Sequence, residues 1–465
     1  MHDLNDEPSW DDLRGMLEDA DADPQDVERL GLVVSRRRLL GLAGGTAALL
    51  TGIGAGRGTV MKGLFRRGMI PIAWADEADG AAPRTVDGST DAGARVGRAQ
   101  ETGQEAEIPG KPGMIVHNTR PVNGEFPPHL LDDPVTPTER HFVRNNGLVP
   151  ERAERRDPQG WSLTVDGEVR SELRLSLADL RAMPGVTLRL VIECGGNGRA
   201  LFDPPVRGNP WGRGAVACSE WTGVRLRDVL NRAGLRESAV YTAHYGEDPQ
   251  LGTEPPFSRG VPLDKAMEEH TLIAYAMNGE DLAPLNGYPV RLVVPGWIGS
   301  CSQKWLTRIW VRDRQHDSKK MTGYSYRVPA YPVPPGTVPP ESEMVVATSW
   351  IIKSLITHPA ADSRLATGER VPVAGHAWAG EREVARVLVS TDYGITWEEV
   401  TLADPPNRYA WQRWETEVSF GRRGYYEIWA RAFDRDGSGQ PLRQPWNPKG
   451  YLGNVVHRVP VLVEA

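Results

Sequence analysis

The residue types most able to do chemistry gather in Val191-Ile192-Glu193-Cys194-Gly195-Gly196-Asn197-Gly198-Arg199. A run of strand character ends in a thiol, and three glycines follow within four residues. Glycine lets backbone N–H groups approach a ligand and tolerates positive φ. A thiolate just outside a strand end is a soft metal ligand, and Arg199 can supply charge to an anion beside it. The same residues equally suit a buried structural cysteine packed before a loop. No two of the three cysteines lie two residues apart, which excludes a C-x-x-C-H haem attachment and a zinc ribbon. No H-E-x-x-H or paired Cys/His spacing points to a zinc enzyme.

The elements that must position this loop are mixed. Over 113–335 short strands alternate with helical patterns, which predicts an α+β domain. Trp161 to Val165 alternates and turns at Asp166-Gly167. Ser176 opens a helix that stops before Pro184. Leu188 to Glu193 reads as the half-buried strand that delivers Cys194. Leu226 to Ala233 reads as a helix closed by Gly234, and Tyr288 to Val294 as another strand. The proline-rich bridge Val328 to Pro340 marks a domain boundary. Residues 345–465 read as all-β, with strands over Val371–Ala374, Val384–Ser390, Trp414–Phe420, Tyr425–Phe433 and Val455–Val463. Their spacing and the turns at Asp392-Tyr393-Gly394 and Asp436-Gly437 predict a β-sandwich. Seven of the 15 tryptophans fall there, enough aromatic area for an independent core or a subunit interface.

The chain has 465 residues, 40% hydrophobic and 25% charged, which excludes wholesale disorder. A net charge of -7 argues against a nucleic-acid surface. Residues 1–75 read as a leader and signal. An acidic, polar stretch precedes Ser35-Arg36-Arg37-Arg38-Leu39-Leu40, and a weakly hydrophobic run follows to about Ile53. That run is short for a bilayer span, which needs about 20 residues. Basic residues ahead of such a run form a signal peptide, and the paired arginines suggest twin-arginine export to the periplasm or cell envelope. Ala73-Trp74-Ala75 offers a cleavage site, although its distance from the arginines leaves an uncleaved anchor open. Residues 76–112 read as a flexible linker.

The Cys194 segment resembles the molybdenum-ligand segment of the sulfite oxidase family, Cys-Ala-Gly-Asn followed by arginine. Further pieces match in family order: Phe142-Val143-Arg144-Asn145-Asn146, Trp211-Gly212, Trp221-x-Gly223-Val224-x-Leu226-x-Asp228-Val229-Leu230, Ala276-Met277-Asn278-Gly279 and Gly287-Tyr288-Pro289-Val290-Arg291. Val293-Val294-Pro295-Gly296, Lys304-Trp305-Leu306, Trp446-Asn447-x-x-Gly450 and His457-Arg458-Val459 follow. The resemblance is nearest to exported bacterial sulfite dehydrogenases, including the sulfane dehydrogenase type.

That resemblance implies a central molybdopterin domain followed by an immunoglobulin-like sandwich that makes a homodimer contact. Cys194 is the implied molybdenum ligand, and Cys218 and Cys301 are structural thiols. The positions matched to cofactor binding are Phe142, Val143, Arg144, Asn145, Asn146, Asp248, Asn286, Arg291, Ser302, Gln303 and Lys304. Cationic Arg291 and Lys304 suit a phosphate. The family often carries histidine where Asn146 and Asn286 stand; asparagine donates and accepts but carries no charge. Arg144, Arg199, Trp211, Lys449 and Tyr324 match substrate-pocket positions, with Tyr326 the alternative tyrosine. Lys449 replaces a family arginine, keeping charge and losing the bidentate fork.

The implied reaction is oxygen transfer to sulfite or to sulfane sulfur, with electrons leaving to an external c-type cytochrome because this chain carries no haem motif. Two alternatives stay open at this level. One is an exported molybdopterin sulfoxide reductase, against which the all-β segment argues. The other is a non-catalytic binding module, against which the retained Cys194, Arg199, Arg144 and Lys304 argue.

Overall fold

The computed structural model describes residues 107–252 and 254–465. The leader, the twin-arginine segment, the Ala73-Trp74-Ala75 site and most of the linker lie outside the described residues. Among the described residues no helix is long and apolar enough to cross a membrane.

The central region is mostly β rather than an even α+β mixture. Its helices are short: Glu151–Arg155, Leu177–Ala182, Leu226–Ala233 and Leu263–Met267. Local chemistry sets their ends. Ser176 and Asp179 form a reciprocal capping box at the start of Leu177–Ala182, worth about 1 kcal/mol. Leu226–Ala233 buries Leu226, Val229, Leu230 and Ala233 on one face, and Gly234 at φ 71 ends it.

Two five-stranded sheets and one of three strands build this region. In the first, Gly185–Glu193 pairs antiparallel with Val216–Arg225 along its whole length, Gly185 facing Val224 and Glu193 facing Val216. Leu272–Met277 continues this sheet. Arg291–Val293 also pairs with Leu272–Met277; this strand starts three residues later than the sequence suggested, because Pro289 offers no N–H to a ladder. The second sheet runs Leu173–Leu175, Leu163–Gly167, Leu306–Arg312, Tyr241–Gly246, Ser258–Pro262, with one parallel pairing between Leu163–Gly167 and Leu306–Arg312. Leu163, Val165, Leu230, Ile273 and Ile309 share the core that joins helices and sheets.

The proline-rich bridge is clamped at its base, where Arg327–Pro329 pairs with Met344–Val346. Beyond it stand two sheets, of four and five strands. Ile356, Val373 and Trp414 from one pack against Val387, Ile428 and Val461 from the other, giving a β-sandwich. The strand Lys353–His358 had no clear sequence signal, because lysine, serine and threonine interrupt its apolar residues. The tryptophans of this segment take several roles. Trp414 fills the sandwich core. Trp350, Trp378 and Trp411 pack with residues of the central region instead. The Trp411 indole N–H donates to the Pro134 carbonyl at 2.9 Å.

Candidate active site

Cys194 leaves the end of the strand Gly185–Glu193 with its backbone N–H still bonded to the Ala215 carbonyl at 2.9 Å. The chain then folds back on itself: Asn197 N–H donates to the Cys194 carbonyl and Arg199 N–H to that of Gly196, both at 2.9 Å. Two of the glycines matter to this path. A Cβ on Gly196 would meet the Arg199 guanidinium at 2.4 Å, and Gly198 sits at φ 87. Asn197 ties the loop down, its amide donating to Glu193 Oε1 at 2.9 Å and its oxygen accepting from Ala215 N–H at 3.1 Å. Cys194 is buried and lines the adjacent cleft. Burial pushes its thiol pKa up, while the charges of Arg144 and Arg199 pull it down.

The cleft, counted out to open solvent, spans about 680 Å³. Three cations stand on or behind its walls. Lys304 donates to the Leu285 carbonyl at 2.8 Å and to Asn145 Oδ1. Arg291 donates to the carbonyls of Asn286 and Ser302 at 3.0 and 3.1 Å and packs over the Trp221 ring. Lys111 donates to the carbonyls of Thr138 and His141. Among the described residues none of the three has an ion-pair partner. Burial drives Lys304 well below the ordinary lysine range, Arg291 down to about 9 and Lys111 to about 8. Buried positive charge without a counter-ion is costly, and an anion relieves it.

The same walls carry unsatisfied polar atoms. His141 Nε2, Asn145 Nδ2, Asp248 Oδ1, Asn286 Oδ1, Ser300 Oγ and Gln303 Oε1 are buried without a hydrogen-bond partner, and all six residues line the cleft. Native proteins seldom leave such groups unpaired. Donors and acceptors mixed around unpaired cations fit a polar heterocycle that carries a phosphate. Among the described residues no group of three His, Cys, Asp or Glu side chains can hold a metal ion. A metal held by Cys194 would need its remaining ligands from a bound molecule, and the polar atoms and cations of these walls fit a pterin cofactor that could bring them.

Toward the C-terminal domain arginines and tyrosines stand in and behind the lining. Arg144 donates to Asn146 Oδ1 at 2.8 Å. Arg199 donates to the carbonyls of Lys449 and Asn209, both at 3.1 Å, and lies over the Tyr451 ring. Tyr451 stacks on Tyr326 with centroids 5.4 Å apart.

Of the residues singled out from sequence, the cleft lining brings together Cys194, Phe142, Arg144, Asn145, Asn146, Asp248, Asn286, Arg291, Ser302, Gln303 and Lys304. Val143, Arg199, Trp211, Tyr324 and Lys449 are not in it. Val143 is fully buried in a strand that pairs with Val122–Glu125. Trp211 is fully buried, edge-on to His117. The tyrosine of the lining is Tyr326, not Tyr324, whose hydroxyl donates to the Pro339 carbonyl at 2.9 Å. Lys449 lies against the Tyr324 ring, its ammonium 5.9 Å from the centroid. Cys218 and Cys301 are buried free thiols. Sequence reasoning missed His141, Ser300, Trp305 and Tyr451. Tyr451 directly follows the Trp446-Asn447-x-x-Gly450 motif, and that adjacency was the available signal. It also missed Lys111: with Ile108 and Lys111 buried, packed structure extends into the stretch read as linker.

Comparison with known proteins agrees with this arrangement. Residues 147–320 match the model of the oxidoreductase molybdopterin binding domain, and residues 346–464 that of the Mo-co oxidoreductase dimerisation domain. Sulfite oxidase of Gallus gallus is 36% identical over 373 residues, spanning 75% of this chain and 78% of the relative. Mitochondrial sulfite oxidase of Homo sapiens is 35% identical over 373 residues, spanning 76% and 66%. A nitrate reductase [NADH] of Ulva prolifera is 31% identical over 396 residues, spanning 76% of this chain and 43% of its own length. Among solved structures, the sulfane dehydrogenase SoxCD of Paracoccus pantotrophus superposes with a TM-score of 0.63 at 25% identity, covering 77% of this chain and 86% of that one. The thiol-bearing loop, the cleft and these relatives agree: the chain belongs to the sulfite oxidase family and is a molybdopterin-dependent oxidoreductase.

Proposed function

We propose that this protein is an exported sulfite dehydrogenase that binds molybdenum through Cys194, works as a homodimer through its immunoglobulin-like sandwich, and passes electrons to an external c-type cytochrome. One observation carries the reading. A single thiol opens into a cleft with unpaired cations and unsatisfied polar atoms on its walls, and two arginines bear on that thiol. When bound, the molybdenum cofactor supplies two-electron oxygen-atom transfer; the chain supplies binding, orientation and charge.

In this reading Arg291 and Lys304 hold the cofactor's phosphate, and Asn145, Asp248, Asn286, Ser300 and Gln303 meet its polar edges. Arg144 and Arg199 draw in the small substrate dianion and fix its oxygens, with Tyr326 as a hydrogen-bond donor and Lys449 adding charge nearby. Export rests on the paired arginines ahead of the hydrophobic run at residues 39–53.

A second substrate, sulfane sulfur, is favoured by Asn146. Its side-chain oxygen accepts from Arg144 at 2.8 Å, at a position where the family often carries histidine, and the solved relative with a TM-score of 0.63 is a sulfane dehydrogenase.

The test is molybdenum content together with sulfite-dependent reduction of cytochrome c, with Cys194→Ser alongside. Near-stoichiometric metal with activity lost in the variant is the expected result. Molybdenum without sulfite turnover, or turnover only with sulfane sulfur, a sulfoxide or nitrate, replaces the substrate. Protein that stays metal-free in a host able to make the cofactor refutes the reading.

A further inference from the structure

Behind the Tyr326 wall lies Arg259, on the strand Ser258–Pro262. Its side chain is among the largest that are fully buried. Among the described residues it has no ion-pair partner. One Nη donates to the Lys320 carbonyl at 2.5 Å, the other reaches the Cys301 sulfur at 3.7 Å, and Nε has no partner. Its guanidinium carbon lies over the Tyr326 ring, 4.7 Å from the centroid. His244 and His316 close by add no charge at neutral pH: burial first, then neighbouring cations, drives them to about 3 and about 4. Arg312, also near, is paired with Asp317.

Tyr326 needs holding. It lines the cleft while its backbone sits at φ 53, a region that favours glycine. Cys301, the other contact of Arg259, lies between Ser300 and Ser302, which line a second wall. One buried cation thus touches the backing of two walls. A cation against the face of a phenol also withdraws electron density from the ring, which makes its O–H a stronger donor to an anion.

We propose that Arg259 is a positioning residue of the cleft: by seating and polarising Tyr326 it sets the affinity of the Cys194 end for small sulfur oxyanions. The identity of the oxyanion rests on the functional reading above; the coupling of Arg259 to Tyr326 does not.

The test compares holoenzyme of the wild type, Arg259→Met, Arg259→Lys, Tyr326→Phe and the two double variants. Sulfate is titrated by calorimetry, KM and kcat for sulfite are measured in parallel, and molybdenum content and thermal midpoint show that each protein is loaded and folded. Arg259→Met should weaken sulfate binding and raise KM about tenfold, with kcat within about threefold. Arg259→Lys should lose about threefold, since it keeps charge without the planar stack. In the Tyr326→Phe background either change should matter less than about twofold, because both act through one hydroxyl. Unchanged sulfate affinity in Arg259→Met, or an equal loss with and without the Tyr326 hydroxyl, overturns the proposal, as does a wild type that binds no sulfate. Should Arg259→Met fail to load molybdenum, Arg259→Lys and its double variant decide on the same criterion. A wild type that shows this coupling with sulfate but oxidises no sulfite counts against the functional reading alone.

Discussion

Lys353 of the sandwich and Glu193 of the central region form a buried ion pair one residue ahead of Cys194, their side chains 6% and 0% exposed. The same carboxylate accepts from the Asn197 amide at 2.9 Å and from the Trp378 indole at 2.8 Å. The strand end that presents the thiol is therefore fixed by side chains from both domains. Lys353→Met strands a buried carboxylate and should lower unfolding stability by roughly 3–5 kcal/mol. Adding Glu193→Gln should recover part of that loss, because it removes the stranded charge, while its single oxygen accepts from Asn197 or from Trp378 but not from both. Denaturant unfolding of the two single variants and the double variant measures this.

Arg291 spans two carbonyls with one planar fork, which lysine cannot reproduce. Arg291→Lys should leave one carbonyl unpaired, lower stability by about 1–3 kcal/mol, and reduce cofactor occupancy. Thermal midpoint and molybdenum per chain are the readouts.

Asp248 gives the cofactor-free protein a pH signature. Burial pushes its carboxyl up to about 6, against the lesser opposing effect of the Gln250 amide. An acid whose pKa is higher folded than unfolded holds its proton more tightly in the native state. Its contribution is therefore fully present below about pH 4 and is lost as pH rises through about 6, a change of roughly 3 kcal/mol. Asp248→Asn should flatten this slope, as followed by unfolding between about pH 4 and 7.

The two neighbouring tyrosines should separate cleanly. Tyr326→Phe removes a cleft hydroxyl and should lower kcat/KM for sulfite about 10- to 100-fold, the worth of a hydrogen bond to a charged group. Tyr324→Phe loses only the bond to the Pro339 carbonyl and should change stability by about 1 kcal/mol with little effect on turnover. Equal losses of activity would show that Tyr324 also reaches the substrate.

Local pattern made much of this legible. The strand that ends at Glu193 and the helix Leu226–Ala233 follow from apolar periodicity and a terminal glycine, and the Cys194 loop from its glycines. What stayed hidden depends on distance or on backbone geometry. Lys353 meets Glu193 from 160 residues away, so neither flank announces the pair. Lys111 sits in a stretch of linker-like composition yet is buried. Tyr326 rather than Tyr324 enters the cleft through a left-handed turn that no glycine marks. The two helices read from sequence are present, but the helices of the central region are all short, and Pro184 and Gly234 stand at the ends of those two.

Trp305 and Tyr326, both in the cleft lining, hold their backbones at φ 50 and φ 53. Each such conformation costs of order 1–3 kcal/mol in a residue other than glycine. Glycine or asparagine would relax the backbone there, but both rings are buried, and losing a large buried aromatic ring costs about 3–5 kcal/mol. The same substitutions would remove the rings that shape the cleft beside the thiol. Ring packing thus outweighs backbone strain at these two residues, so stability and site shape are held by the same side chains, and gains in heat resistance are better sought elsewhere in the chain.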